Sequence, residues 1–201
     1  MLPAGAEPPE SPDSRVLGTP SDLPARVLVV GLGSPDRGDD AAGAEVAAAA
    51  ARTVAERGLL GIHVVEHEDP TALVDLLDPT GRPYGWDLVV VVDAIRSGAA
   101  PGSVTVLDVG SDGQDFASMG ARLDPGPAGT HGFGLAGTIE LARALGRLPP
   151  RVVVVGIEAV SFEHGAPLSP AVHSAIPRAA ETVLGLVEEA MASPSRPGVA
   201  G

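Results

Sequence analysis

Short runs of valine, leucine and isoleucine alternate with longer alanine-rich or amphipathic segments along the middle of the chain. In all but one of these runs the interior contains no polar residue, which is typical of strands buried on both faces of a parallel sheet. The runs predict strands at residues 27–30, 62–66, 88–93 and 151–157. The segments between them predict helices over about 40–57, through 73–77, over 135–145 and from 170 to about 191.

One further strand, over residues 103–107, follows the preceding strand after only a short Gly- and Pro-containing loop. Because so short a connection leaves no room for a helical crossover, we expect an antiparallel edge strand here. The predicted fold is therefore α/β: a single-domain three-layer sandwich. Its mostly parallel twisted sheet has about five strands, one of them an antiparallel edge strand, and helices cover both faces.

Glycine, serine and proline residues indicate where the predicted helices begin and end. Gly58 and Gly146 are placed to end helices in the left-handed conformation, while Ser169 caps the last helix and Pro170 begins it. Pro177 should kink or delay that helix. Gly43 lies in the first turn of the first helix, where only close packing would offset the low helix propensity of glycine.

Residues 1–24 and 193–201 are rich in proline and small residues, which predicts disordered tails around a domain at 25–192. The stretch 108–129 is rich in glycine and aspartate and predicts irregular structure. The first residues carry no signal-peptide pattern, and no apolar run is long enough to span a bilayer. We therefore expect a cytoplasmic protein that binds no membrane.

Charge and composition limit the chemistry. The chain carries 26 acidic residues against 13 basic ones, a net charge of −13, which argues against a nucleic-acid partner. It contains no cysteine, which excludes disulfides, thiolate metal sites and cysteine nucleophiles. Catalysis would have to come from carboxylates, histidine, serine or threonine.

The turn after the first strand brings two glycines and an acidic pair together: Gly31, Gly33, Asp39 and Asp40. Glycines permit a tight turn, and carboxylates are favoured at a helix N-terminus. We assign Asp39 as the helix cap and Asp40 as the functional carboxylate. The turn lacks the third glycine of a dinucleotide-binding fingerprint, where Asp36 stands, so a nucleotide-binding enzyme is the weakest alternative.

Three polar side chains are predicted at the carboxyl ends of the strands: Asp40, Asp93 at the end of the third strand, and His131 before a helix. Functional crevices in open parallel sheets lie at this edge. Two carboxylates and an imidazole suit a divalent metal such as nickel, zinc, iron or manganese. Each residue also has a plain structural interpretation as a cap, a turn former or a solvated side chain.

Four motifs occur in order over residues 25–190: Gly31-x-Gly33-Ser34 to Asp39-Asp40-x-x-Gly43, Asp93-Ala94 after a valine-rich strand, Thr130-His131-Gly132-x-Gly134-Leu135, and Val155-Gly156-Ile157 followed by Leu168-Ser169-Pro170. Together they resemble the nickel-iron hydrogenase maturation proteases. The resemblance implies an endopeptidase, aspartic-type or metal-dependent, that removes the C-terminal extension of a hydrogenase large-subunit precursor after nickel insertion. It implies that Asp40, Asp93 and His131 contact nickel presented by the precursor, and we expect the enzyme to be a monomer.

The chain departs from many members of that family after its second strand. They have a Gly-Gly-Thr turn where this chain has Glu66-His67-Glu68-Asp69-Pro70-Thr71. His67 is read as part of an exposed acidic turn rather than as a further ligand. Glu158, Glu163, His164 and His173 receive no functional role.

Two routes to hydrolysis stay open, a carboxylate general base and a metal-activated water. A non-enzymatic alternative is a checkpoint or binding module that contacts the nickel site of the precursor without cutting it.

Overall fold

The computed structural model describes residues 25–78, 85–109 and 134–192. Five strands lie in one sheet in the order β2-β1-β3-β5-β4. Their bounds are Val27–Leu32 for β1, Ile62–His67 for β2, Leu88–Ile95 for β3, Val104–Asp108 for β4 and Val152–Glu158 for β5. The predicted tails, residues 130–133 and most of the predicted irregular stretch lie outside the described residues.

Four strands run parallel, and β4 pairs antiparallel with β5 at the edge of the sheet. The prediction of an antiparallel edge strand is confirmed. In the register of the sheet, Asp93 stands beside Gly156, and Leu32 stands beside His67. The carboxyl ends of β1, β2, β3 and β5 therefore share one edge, where the sequence placed the site.

Helices cover both faces of the sheet. Their bounds are Ala42–Arg57 for α1, Leu73–Leu76 for α2, Leu135–Ala144 for α3 and Pro170–Ala192 for α4. Alternate residues of the central strands pack on α1 and α4 in one core, and the intervening residues pack with α2 and α3 in a second core. This arrangement follows from the side-chain alternation of a strand whose two faces are both apolar. The described residues contain no helix long and apolar enough to cross a bilayer.

The helix ends largely follow the sequence. Gly58 ends α1 in the left-handed conformation, with φ 62° and ψ 34°. Ser169 lies directly before α4, and its Oγ accepts a hydrogen bond from the N–H of Val172 at 3.4 Å. α4 is not delayed by Pro177, because it begins at Pro170 and continues past that residue.

Candidate active site

The turn between β1 and α1 closes on itself and fixes the carboxylate of Asp40. Gly33 has φ +117°, and a Cβ there would lie 1.8 Å from the backbone oxygen of Asp40, so only glycine fits. Asp40 Oδ2 accepts a hydrogen bond from the N–H of Ser34 at 2.9 Å. The chain therefore enters a 3-10 turn over Gly38–Ala41 before α1 begins, slightly later than predicted.

Glycines also let α1 approach the sheet closely beside this turn. A Cβ on Gly43 would lie 2.2 Å from the carbonyl oxygen of Leu32 and 2.5 Å from that of Val92. A Cβ on Gly31 would lie 2.4 Å from the carbonyl oxygen of Gly43. The expectation that close packing offsets the low helix propensity of Gly43 is confirmed.

The structure brings Asp93, near the end of β3, close enough to Asp40 for the two charges to interact. Burial raises the pKa of Asp93, and the negative charge of Asp40 raises it further. A hydrogen bond from the N–H of Ala94 opposes both effects, and the resulting pKa of Asp93 is about 7. A carboxyl group of this kind exchanges its proton near neutral pH, which is unusual for aspartate.

His131 lies outside the described residues, so the structure says nothing of its position. α3 begins four residues later in the chain and packs on the face of the sheet to which Val89 and Val91 belong. Asp93 continues this alternation along β3 and is directed to the same face. Within residues 25–78, 85–109 and 134–192, no three His, Cys, Asp or Glu side chains form a group that could hold a metal ion.

Asp39 is not the helix cap that the sequence predicts. The N-cap residues are Arg37 for the 3-10 turn and Ala41 for α1, and neither makes a capping hydrogen bond with its side chain. The Asp39 side chain is fully buried and accepts hydrogen bonds from the backbone N–H groups of Val160, Ser161 and Ser169, at 2.7, 3.1 and 2.6 Å. The cap assignment is wrong because these donors, in the segment between β5 and α4, come within reach of Asp39 only in the folded chain.

Hydrogen bonds have a larger combined effect than burial on the pKa of Asp39. Burial alone would raise its pKa, but the bonds from Ser169, Val160 and Ser161 favour the ionised form and lower the pKa below its usual value. Two backbone bonds add to this connection, from the N–H of Asp39 to the oxygen of Ser161 and from the N–H of Gly38 to the oxygen of Ala166. Asp39 thus fixes the turn that carries Asp40 against the β5–α4 loop, residues 159–169.

Glu158 is a second buried carboxylate, to which the sequence analysis gave no role. It ends β5, is 5% exposed and accepts hydrogen bonds from the N–H of Ser97 at 2.9 Å, the Ser97 hydroxyl at 2.7 Å and the N–H of Gly98 at 3.0 Å. It therefore ties the segment after β3 to the end of β5. A charged residue directly after the apolar run of β5 was the only signal of this role in the sequence.

The remaining acidic and histidine candidates are His67, Glu163, His164 and His173. His67 is the last residue of β2 and is half-buried, so its assignment to an exposed turn is wrong. Glu163, His164 and His173 are exposed. Asp40 and Asp93, one of them with a pKa near neutrality, are thus the described pair suited to proton transfer or to binding a cation.

Comparisons with known proteins agree with this fold. The family model described as hydrogenase maturation protease matches residues 70–186. The hydrogenase 2 maturation protease of Escherichia coli K12 is 30% identical over 165 residues, which cover 82% of this chain and 92% of that protein.

Two solved structures share the architecture. The hydrogenase maturating endopeptidase HybD of Escherichia coli has a TM-score of 0.62 at 23% identity and shows the fold, covering 82% of this chain and 93% of that one. The NiFe hydrogenase maturation protease HybD of Thermococcus kodakarensis has a TM-score of 0.56 at 25% identity. The match covers 81% of this chain and 99% of that one. The matching family model and the relative of 30% identity identify this chain as a peptidase. The chain belongs to the hydrogenase maturation protease family.

Proposed function

We propose that this peptidase removes the C-terminal extension of a nickel-iron hydrogenase large-subunit precursor after nickel has been inserted. Family membership supports a role in hydrogenase maturation. The observation that carries the proposal is the coupled pair Asp40 and Asp93 at the carboxyl edge of the sheet. In this proposal the nickel belongs to the substrate, and Asp40, Asp93 and His131 engage it.

The donor set fits a divalent metal. Two carboxylates and one imidazole supply oxygen and nitrogen ligands of the kind that nickel and its neighbours accept. The charge of Asp40 disfavours ionisation of Asp93, and a cation between the two carboxylates would relieve that repulsion. Binding the precursor through its nickel would hold the adjacent peptide segment at the strand ends, and such positioning supplies several kcal/mol of catalysis.

Hydrolysis then requires a water molecule activated next to the scissile carbonyl carbon. In an aspartic-type mechanism, the Asp93 carboxylate accepts a proton from water while the water oxygen bonds to that carbon and the C=O π electrons move to the carbonyl oxygen. The carbonyl then re-forms as the C–N bond breaks, and the proton passes from Asp93 to the leaving amine nitrogen. In the metal-dependent alternative, Asp40, Asp93 and His131 would hold a divalent ion, which would increase the acidity of water in place of a carboxylate base. The dependence of kcat on the identity of the bound metal separates the aspartic-type from the metal-dependent route.

Cleavage of the precursor provides the test. Purified enzyme is incubated with nickel-loaded and with nickel-free large-subunit precursor, and the mass of the large subunit is measured before and after. We expect loss of the extension from the nickel-loaded form only. Asp40→Ala, Asp93→Ala and His131→Ala should each abolish cleavage, while Asp36→Ala, an exposed aspartate of the same turn, should retain it.

Two results would contradict the proposal. An unchanged mass with nickel-loaded precursor, together with formation of a stable complex, would support the non-hydrolytic checkpoint. Full activity in the three site variants would show that cleavage uses other residues.

A further inference from the structure

The segment that follows β3 is held by several bonds to one residue of β5. The Glu158 carboxylate binds Ser97 and Gly98, as described above. The backbone of Glu158 adds two more bonds, accepting from the N–H of Gly102 at 2.8 Å and donating to the oxygen of Ser103 at 2.9 Å. Both ends of the segment 97–103 are therefore bonded to the end of β5, and Arg96 stands directly before this segment.

Arg96 is also restrained by its own side chain. Its guanidinium carbon lies 4.7 Å from the centre of the Phe162 ring, a cation–π contact with the β5–α4 loop. Both side chains are half-buried. The guanidinium is thus held between two loops at the carboxyl edge of the sheet.

Most arginines of the described chain bind an oxygen of this protein. Arg57, Arg143, Arg147 and Arg151 form ion pairs, and Arg26 and Arg178 donate to backbone carbonyls. Within residues 25–78, 85–109 and 134–192, Arg37, Arg52 and Arg96 have no such partner. Of these three, Arg96 is the one whose guanidinium a ring contact fixes, and no oxygen of the described residues takes up its hydrogen-bond donors.

The position of Arg96 suits contact with a bound polypeptide. Arg96 follows Asp93 by three positions, so their Cα atoms lie within about 11 Å of one another. An extended peptide that presents its scissile bond to Asp93 at this edge would span such a distance with about three or four residues on one side of that bond. Arg96 would then touch the substrate beside the cut, not at the cut itself.

We propose that Arg96 binds a carboxylate of the precursor's C-terminal extension and that Glu158 positions it. The proposal rests on the proposed function. The planar guanidinium binds carboxylates through two parallel hydrogen bonds. Its restraint by Phe162 and by the Glu158 network reduces the entropy lost on binding. In a protein of net charge −13, a local cation offsets the general repulsion of a carboxylate on the substrate.

The kinetics of precursor cleavage test the role of Arg96. Full-length Arg96→Gln enzyme is compared with wild type and with Arg52→Gln, which removes the same charge from an exposed position on α1. We expect KM for nickel-loaded precursor to rise about tenfold in Arg96→Gln with kcat within about twofold, and both constants to stay within about twofold in Arg52→Gln. Equal KM effects in the two variants would show general electrostatics and overturn the proposal.

Two precursor variants identify the carboxylate. In one, every Asp and Glu of the extension is replaced by Asn or Gln, and in the other three glycines are added to the C-terminus. If wild type and Arg96→Gln have the same KM for the precursor without acidic side chains in its extension, Arg96 binds a side-chain carboxylate. If they have the same KM for the precursor with added glycines, Arg96 binds the terminal carboxylate. Persistence of the full difference in both would overturn carboxylate binding.

Combining Glu158→Gln with Arg96→Gln in one enzyme tests the positioning role of Glu158. Glu158→Gln should raise KM several-fold in the wild-type background and have no further effect on KM in Arg96→Gln. An equal effect in both backgrounds would contradict positioning. If Glu158→Gln does not fold, Phe162→Leu removes the other restraint and serves the same comparison. A wild-type enzyme that cannot cleave the precursor would refute the proposed function itself, whereas normal cleavage by Arg96→Gln would refute only this inference.

Discussion

Asp39 and Ser169 lie 130 positions apart in the chain, and the backbone N–H of Ser169 donates to Oδ1 of Asp39 at 2.6 Å. Through this bond and those to Val160 and Ser161, a fully buried carboxylate joins the turn after β1 to the loop after β5. The negative charge of the neighbouring Asp40 instead acts on Asp93. Two adjacent aspartates therefore differ in their interactions: Asp39 holds the two loops together, and Asp40 belongs to the candidate site.

Replacing Asp39 should destabilise the fold. Asp39→Asn keeps one acceptor oxygen but places an NH₂ group among backbone donors, so we expect the free energy of unfolding to fall by about 2–4 kcal/mol. Urea unfolding measures this loss. Asp36→Asn, exposed in the same turn, is the matched control and should change stability by less than about 0.5 kcal/mol.

The same variant has a defined pH dependence. Because the folded-state pKa of Asp39 lies below the unfolded value of 3.8, its ionised form stabilises the fold fully above that value. This contribution is lost as the pH falls through the lower folded-state pKa. The stability difference between wild type and Asp39→Asn should thus be constant from pH 5 to 8 and narrow below about pH 4. A difference that is unchanged at low pH would contradict this assignment.

The contribution of Asp93 to the stability of the fold should depend on pH in the opposite direction. Its folded-state pKa of about 7 lies above the unfolded value of 3.8, so between these values the folded protein holds a proton that the unfolded chain has lost. Stability then falls as the pH rises through this window. In the absence of metal, Asp93→Asn should be more stable than wild type at pH 8, by about 1–3 kcal/mol, and equal to it below about pH 4.

Thermal or urea unfolding across pH measures this effect for Asp93. Glu181→Gln, an exposed residue of α4, controls for the loss of one negative charge. If Asp93→Asn were destabilising at pH 8, the carboxylate would be better accommodated in the fold than the geometry indicates.

The coupling between the two site carboxylates is itself measurable. Asp40→Asn removes a charge that raises the pKa of Asp93, and asparagine can still accept the hydrogen bond from Ser34. We expect the pKa of Asp93 to fall in this variant, because only burial would then raise it. Carboxyl carbon NMR titration reports the value, and Glu45→Gln, an exposed residue of α1, should leave it unchanged.

Substituting two helical glycines by alanine distinguishes the effect of close packing on stability from the effect of helix propensity. Gly43→Ala should destabilise the protein by about 3 kcal/mol, because its Cβ would meet the carbonyl oxygens of Leu32 and Val92. Gly185 lies in α4, and a Cβ there would meet nothing within 4 Å. Gly185→Ala should raise stability by about 0.5–1 kcal/mol. Similar effects of both substitutions in urea unfolding would show that α1 does not pack as closely as described.

The hydrophobic pattern by itself determined the layers of this protein. Uninterrupted valine runs specify strands buried on both faces, alanine-rich segments specify the covering helices, and one short connection specified the antiparallel β4. These features depend on neighbours in the chain, so a single sequence contains them. The candidate carboxylates Asp40 and Asp93 could be named because strand ends in a parallel sheet share one edge.

Only the tertiary structure decided what each buried acid does. By its position in the sequence, Asp39 is equally suited to cap a helix. The residues next to Glu158 in the sequence do not indicate that it binds Gly98, which lies 60 positions away. Their hydrogen-bond donors belong to distant loops, and the pKa values of Asp39 and Asp93 follow from burial and from those contacts. Local sequence sets which elements form, but the electrostatics of a buried carboxylate depend on what folding places around it.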